Sequence, residues 1–351
     1  MFEEIFEKAS EGKGLTKEEI EKLLLIKDQD TLDILFETAR NLKKKHFGEK
    51  VFTYGFVYFS TFCRNNCSFC YYRRENDIER YRKTIEETVS LSGDLQDGGV
   101  NLVDLTMGED QTMHANDHEK LLELVEKVKS AVSIPIMLSP GAVSEETFPL
   151  FKKAGADWFA CYQETHNRKL FSEMRPEQDF DHRSNQRNWA RKCGLLAEDG
   201  IMVGIGETRS DIADSVIQMG IQGCEQIRAM TFVPQPGTPM SAMTPREKEK
   251  ELKVMAVMRL AHPDRLIPAS LDVEGIEGLM PRIRAGANIV TSIVPPRMHL
   301  AGVAQKELDI DSGLRSMEHV TDVLEKEGCR VGCNSEYESI IGNIRKKRCS
   351  A

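Results

Sequence analysis

Val51-Phe-Thr-Tyr-Gly-Phe-Val-Tyr-Phe59, followed after three residues by Cys63-Arg-Asn-Asn-Cys67-Ser-Phe-Cys70, is the stretch on which the reading of this chain turns. The first part is apolar, aromatic and β-branched, and predicts a buried strand. The loop after it places three cysteines within eight residues. Thiolates this closely spaced can bind a metal centre without help from distant chain. A closed structural zinc site or an ordinary four-iron cluster takes four protein ligands. Three ligands leave one metal position open, and an open position is where chemistry occurs. A zinc knuckle or three buried thiols are the non-catalytic readings of the same spacing.

Working outward, the strand opens a rhythm of short apolar run, loop and amphipathic helix. Strands are expected to start near Phe52, Asn101, Ile134, Asp157, Gly200, Gln226, Leu266 and Asn288. Helical patterns lie between them, as at Glu119–Ala131, Ser144–Ala154, Asp211–Gln222 and Pro245–Arg259. This alternation predicts an α/β fold, a single (β/α)8 barrel of the TIM type. Before it, residues 1–49 read as a helical extension. Thr16 and Glu19 form a capping box with Leu15 stapled to Ile20, and a second helix runs from near Asp30 to Gly48. Such a pair would close one end of the barrel or form a dimer surface. The barrel is expected over 50–327, ending with a helix at Ser316–Glu327, and 328–351 reads as a polar tail whose basic run Arg345–Arg348 is solvated.

The bulk numbers narrow the function classes. The chain has 351 residues and a net charge of −9, which argues against a nucleic-acid or anionic-membrane surface. No apolar run reaches the roughly 20 residues of a membrane span. The charged N-terminus is no secretory signal. Nine cysteines, odd in number and unevenly spaced, suit a reducing cytoplasm rather than a disulfide framework.

In such a barrel the active site lies at the C-terminal ends of the strands, so the cysteine loop lands there. Asp104 and Thr106 share one face of the second strand, and a carboxylate within a strand needs a partner or a polar cavity. The Gly108-Glu109 tip offers backbone and a carboxylate suited to an ammonium. Glu164 ends the fourth strand, and with Arg183 downstream it would clamp the two ends of an amino-acid-like cofactor. Gly204 and Gly206 make a turn where backbone can approach a flat adenine ring. Arg228 in the sixth strand requires an anion. Ser270 and Asp272 share a face of the seventh. Asp104, Arg228, Ser270 and Asp272 together complement a diamino acid, or else satisfy one another as an internal network. Cys161, Cys193 and Cys224 read as apolar fillers. Cys329, Cys333 and Cys349 lie closer together, but without turn glycines or compact spacing they make only a weak case for a second metal site.

Cys63-x3-Cys67-x2-Cys70, with Phe69 before the last cysteine, resembles the motif of the radical S-adenosylmethionine superfamily. Met107-Gly-Glu109 and the Gly204/Gly206 turn resemble its methionine-amine and adenine sites. Val103–Asp110, Arg265–Gly275 and Ala285–Ile293 are similar to the biotin-synthase-like group, and within it to the methylornithine synthase family. That resemblance implies a 4Fe-4S cluster on Cys63, Cys67 and Cys70 that binds S-adenosyl-L-methionine at its open iron. It implies one-electron cleavage to a 5′-deoxyadenosyl radical, with flavodoxin or ferredoxin as the kind of reductant. It also implies isomerisation of L-lysine to (3R)-3-methyl-D-ornithine by fragmentation and recombination, within pyrrolysine biosynthesis. Phe69, Gly108, Glu109, Glu164, Arg183, Gly204 and Gly206 would then serve the cofactor, and Asp104, Arg228, Ser270 and Asp272 the substrate. A relative of the hydrogenase maturases is the alternative, since its Glu/Arg clamp looks much the same.

Overall fold

The Val51–Phe59 run is the centre of β1 (Lys50–Ser60), buried at every residue after the first. The computed structural model describes residues 2–244, 248–295, 302 and 314–350. Around β1 lie β2 (Leu102–Met107), β3 (Ile136–Ser139), β4 (Trp158–Ala160), β5 (Leu196–Val203), β6 (Gln226–Thr231), β7 (Pro268–Ser270) and β8 (Ile289–Ile293). All pair in parallel in the order β6-β5-β4-β3-β2-β1-β8-β7, with helices outside. This is the nearly closed eight-stranded parallel barrel that the alternation predicts. Closure at the remaining seam is slight: one bridge, Gln226 to Leu266, joins β6 to β7.

The strands are buried on both faces, as parallel strands under a helical coat must be. Helix positions follow the expected pattern closely. Glu119–Ala131 is helical as read, and the others begin at Thr147, Arg209 and Lys248. Residues 245–247, where the fourth pattern was expected to start, lie outside the described residues. The Thr16–Glu19 capping box forms, and Gly48 ends the helix Gln29–Phe47 at φ 66°. That helix packs on the helices Lys248–Ala261 and Leu279–Arg284.

Two expectations are corrected. β5 starts at Leu196, four residues before Gly200, because Glu198 and Asp199 are strand residues despite their charge. Glu198 meets Arg228 at 2.7 Å on one face, and Asp199 meets Arg187 at 3.5 Å and His166 at 3.3 Å on the other. The C-terminal stretch is not a solvated tail. A short strand β9 (Arg330–Val331) pairs with β1, and Asn334–Ser350 is a helix. Its Tyr337 is fully buried against Phe52 and Tyr54, with the two hydroxyls 2.6 Å apart, and plugs the N-terminal end of the barrel. The basic run is partly engaged: Arg345 reaches Asp157 and Arg348 donates to the Leu195 carbonyl.

Candidate active site

Building from the cysteine loop, the first question is what holds it. The Gly108 N–H donates to the Ser60 carbonyl at 3.0 Å and the Arg64 N–H to the Glu109 carbonyl at 3.0 Å, so the loop lies directly on the tip of β2. The approach leaves no room for a side chain: a Cβ on Gly108 would sit 2.3 Å from the Phe62 carbonyl oxygen. From the far side the Arg80 guanidinium donates to the carbonyls of Thr61 (2.6 Å), Tyr72 (3.2 Å), Arg73 (2.7 Å) and Asn76 (3.2 Å). One side chain thus straps together both ends of the segment that carries all three cysteines.

Cys67 is buried, and Cys63 and Cys70 half-buried. Burial pushes the Cys63 and Cys70 thiols up, and for Cys70 the neighbouring Cys67 and Cys63 add to it. The Cys67 Sγ accepts hydrogen bonds from Arg175 at 3.3 Å and Gln178 at 3.1 Å. Among the described residues no three His, Cys, Asp or Glu side chains converge tightly enough to ligate a single ion. That geometry is compatible with a multi-iron cluster, in which each thiolate takes a different iron.

Beside the loop the barrel holds a cavity of about 130 Å³. Phe56, Tyr58, Tyr162, Met202, Met230 and Phe232 supply apolar wall, and Phe69 and Cys70 bring the cysteine loop to its edge. Asp104, Arg228, Ser270 and Asp272 all line it, as the two-residue strand period predicts. Most of the charge there is internally paired. Glu164 meets Arg175 at 2.5 Å, Arg228 meets Glu198 at 2.7 Å, and Asp272 meets Arg315 at 3.0 Å. Glu251 and Arg282 fill the open β6/β7 seam at 2.7 Å.

Asp104 is the exception. It is fully buried, and among the described residues it accepts from the Ser139 hydroxyl at 2.8 Å while its Oδ2 has no hydrogen-bond partner. Burial pushes its carboxyl up to about 7, and nearby Glu198 adds to it. Among the described residues Arg228 keeps Nη2 unpartnered, and Glu164 keeps Oε2 unpartnered. Buried polar atoms in a native fold are almost always hydrogen-bonded, so orphans gathered around one cavity mark a place for a ligand. By contrast Asp272 is saturated by Tyr58 (2.7 Å), Ser270 (3.0 Å), Ser292 (2.8 Å) and Arg315, and its carboxyl is held below the usual range despite burial.

The expected cofactor clamp is wired differently from the sequence reading. Arg183 does not meet Glu164. It pairs with Glu109 at 3.3 Å and donates to the Tyr162 carbonyl at 2.7 Å. Glu109 also takes Arg64 and the Ala142 N–H, and these partners, Arg183 first, bring its carboxyl down to about 2 against burial. Glu164 stands at φ +66°, a left-handed position uncommon for a non-glycine residue. Its loop is pinned from behind, where Arg187 donates to the Cys161 carbonyl at 2.8 Å and Asp199 accepts the Gln163 N–H at 2.9 Å. The Gly204 N–H is taken by the Glu207 carboxylate at 3.0 Å, which leaves Gly206, at φ 103°, as the open backbone of that turn. Next to it Met174, Met202, Ile205, Phe232 and Met240 form a separate apolar group, with Phe69 packed against it.

The residues that sequence reasoning missed are the partners. Arg175 follows a helix end and precedes a proline, which reads as surface. Glu198 stands beside Asp199 in Leu-Ala-Glu-Asp-Gly-Ile, an adjacent charged pair that hides the strand.

Residues 57–217 match the Radical SAM superfamily. The chain is 40% identical over 341 residues to a 3-methylornithine synthase of Methanosarcina barkeri, covering 97% of both chains. It is 30% identical to the FeFe-hydrogenase maturase subunit HydE of Thermotoga maritima, over 82% of each. Its fold superposes on a crystal structure of methylornithine synthase (PylB) with a TM-score of 0.92 at 40% identity, covering 96% of this chain and 99% of that one. The chain belongs to the radical SAM superfamily, in the 3-methylornithine synthase family. The maturase alternative is the less supported of the two.

The superfamily implies a 4Fe-4S cluster and S-adenosylmethionine, and the residues present fit both. Three thiols sit on one strapped loop at the cavity edge. A methionine-rich apolar group with Phe69 suits a flat base. The unpartnered Glu164 oxygen suits an ammonium. Among the described residues no helix is long and apolar enough to cross a membrane.

Proposed function

We propose that this chain is a radical SAM carbon-skeleton mutase that converts L-lysine to (3R)-3-methyl-D-ornithine, drawing single electrons from a small reductant protein. The observation that carries the reading is Asp104, the one cavity-lining carboxylate without a salt bridge among the described residues, set in the same wall system as the unpartnered Arg228 Nη2.

Cys63, Cys67 and Cys70 would hold the cluster, and Glu164, Gly206 and the apolar group around Ile205 would receive the cofactor. Bound there, cluster and cofactor supply a carbon-centred radical able to remove a hydrogen atom from an unactivated side chain. The protein's part is binding, orientation and exclusion of water. Arg228 offers its spare N–H to the substrate carboxylate. Asp104 offers its bare oxygen to one ammonium, which would in turn draw its carboxyl back toward the ordinary range. Ser270 and Asp272, on the far side of β1 and β8 from Asp104, would take the other end by exchanging part of their bonding to each other, Ser292 and Arg315 for the substrate. Anchors at both ends keep two fragments of a broken chain in register for recombination. Phe56, Tyr58, Tyr162 and Phe232 keep water out of the space between.

The test is anaerobic reconstitution followed by incubation with isotopically labelled L-lysine, S-adenosylmethionine and reductant. Product and substrate are isomers, so amino acids must be separated by chromatography before mass spectrometry. A labelled branched diamino acid is the expected result. Cofactor cleavage with lysine returned unchanged, or a protein that takes up zinc and no iron, would sink the reading.

A further inference from the structure

Arg175 occupies a position that neither substrate nor cofactor binding explains by itself. One end of its guanidinium donates to the Cys67 sulfur at 3.3 Å, and the other meets Glu164 at 2.5 Å. The side chain is buried, and its Nε has no other partner. Gln178 adds a second donor to the same sulfur at 3.1 Å. The three groups are held in place by backbone. Arg175 caps the helix Arg168–Met174, its N–H donating to the Phe171 carbonyl at 2.8 Å. The cysteine loop docks on that same helix end, with the Ser68 N–H on the Met174 carbonyl at 2.8 Å and the Ser68 hydroxyl on the Glu173 carbonyl at 2.7 Å. Cys67 therefore cannot move relative to Arg175 without breaking two bonds to its neighbour in sequence. Neither Cys63 nor Cys70 has a side-chain donor to its sulfur among the described residues.

We propose that Arg175 and Gln178 set the reduction potential of the cluster through Cys67, with Glu164 restraining the effect of the Arg175 charge. The inference rests on the cluster reading given above. Reduction adds one electron from an external one-electron reductant, and no bond forms or breaks. Part of the added negative charge falls on the cysteine sulfurs. A charged N–H donor on one sulfur stabilises the reduced form and raises the potential. Glu164, ion-paired to that same guanidinium, offsets part of its charge and lowers the potential. The buried setting keeps both effects large, since water screens little there. Gln178 is a neutral donor and contributes the smaller share.

The experiment is an EPR-monitored potential titration of the full chain, anaerobically reconstituted, with iron and sulfide measured for each protein and no S-adenosylmethionine present. Glu164→Gln removes the restraining charge at nearly the same shape. The reduction equilibrium should shift toward the reduced form about tenfold, ~59 mV for a one-electron couple. Gln178→Leu should shift it the other way by about threefold, and Arg175→Met by about tenfold. Opposite signs at Glu164 and Gln178, with iron content equal to wild type, support the proposal. Equal potentials in wild type, Glu164→Gln and Gln178→Leu overturn it, whatever Arg175→Met does to folding. A wild-type chain that assembles no iron–sulfur cluster overturns the function proposed above. A cluster that assembles but keeps one potential throughout overturns only this inference.

Discussion

The two ends of the barrel each bury an arginine, and the two are treated in opposite ways. At the floor, Arg259 spends every nitrogen: Nε on the Gly286 carbonyl at 2.9 Å, Nη1 on the carbonyls of Pro263 (3.0 Å) and Arg265 (2.7 Å), and Nη2 on Asn288 at 2.8 Å. Burial brings its guanidinium down to about 9, with the nearby Asp264 carboxylate opposing the shift. It ties together the chain entering β7 and β8. Nearer the mouth, Arg228 is paired with Glu198, which with the neighbouring Tyr162 keeps its guanidinium raised despite burial, yet one N–H is left without a partner. A buried arginine whose nitrogens are all engaged is architecture. One left incompletely engaged around a cavity, at a cost in stability, is a binding site. The contrast separates the two kinds of buried charge that sequence reading cannot tell apart.

The strongest way to break this contrast is at the cysteine loop. Cys70→Ala should leave the barrel folded and remove both cluster and product entirely, as read by iron content and by the labelled-lysine assay. Retained iron at the wild-type level would contradict the assignment.

Asp104→Asn comes next. Activity should fall at least 100-fold, because an ammonium anchor is lost. Stability should change in the opposite sense. The Asp104 carboxyl is raised to about 7, so in the wild type its contribution is full below about pH 4 and is lost as pH rises through 7. Asn removes that loss. At pH 8 the variant should be the more stable by about 1–3 kcal/mol, and at pH 4 the advantage should vanish. Denaturant midpoints at the two pH values decide it, and a wild type that loses no stability with rising pH would refute the isolated carboxylate.

At the floor the pattern should reverse. Arg259→Met strands three backbone carbonyls and should cost about 3 kcal/mol of stability by chemical denaturation. Turnover of the remaining folded protein should stay within a fewfold of wild type. A loss of turnover as large as that at Asp104 would erase the distinction between the ends. The smallest effect is expected at Tyr337→Phe, which removes only the hydroxyl bond to Tyr54: about 1 kcal/mol, with unchanged turnover.

The C-terminal helix was legible in principle. Tyr337, Ile340, Ile341 and Ile344 recur at helical spacing, but the basic run after them drew the reading toward a solvated tail. The late start given to β5 has a different cause. Two adjacent charged residues argue against a strand unless each has a partner, and those partners, Arg228 and Arg187, come from β6 and from the helix Phe180–Lys192. No local pattern names them.

By itself the sequence determined the cysteine spacing, the strand–helix alternation and which strand residues face inward. Each is a property of neighbours a few positions apart, and the two-residue and 3.6-residue periods carry it. The tertiary structure alone decided the pairings: Glu164 with Arg175 instead of Arg183, Arg183 with Glu109, Arg228 with Glu198 and Asp272 with Arg315. Those depend on strand register and on the paths of loops around the barrel mouth, which local spacing does not encode. Once the pairs are drawn, the atoms left over are what identify the site.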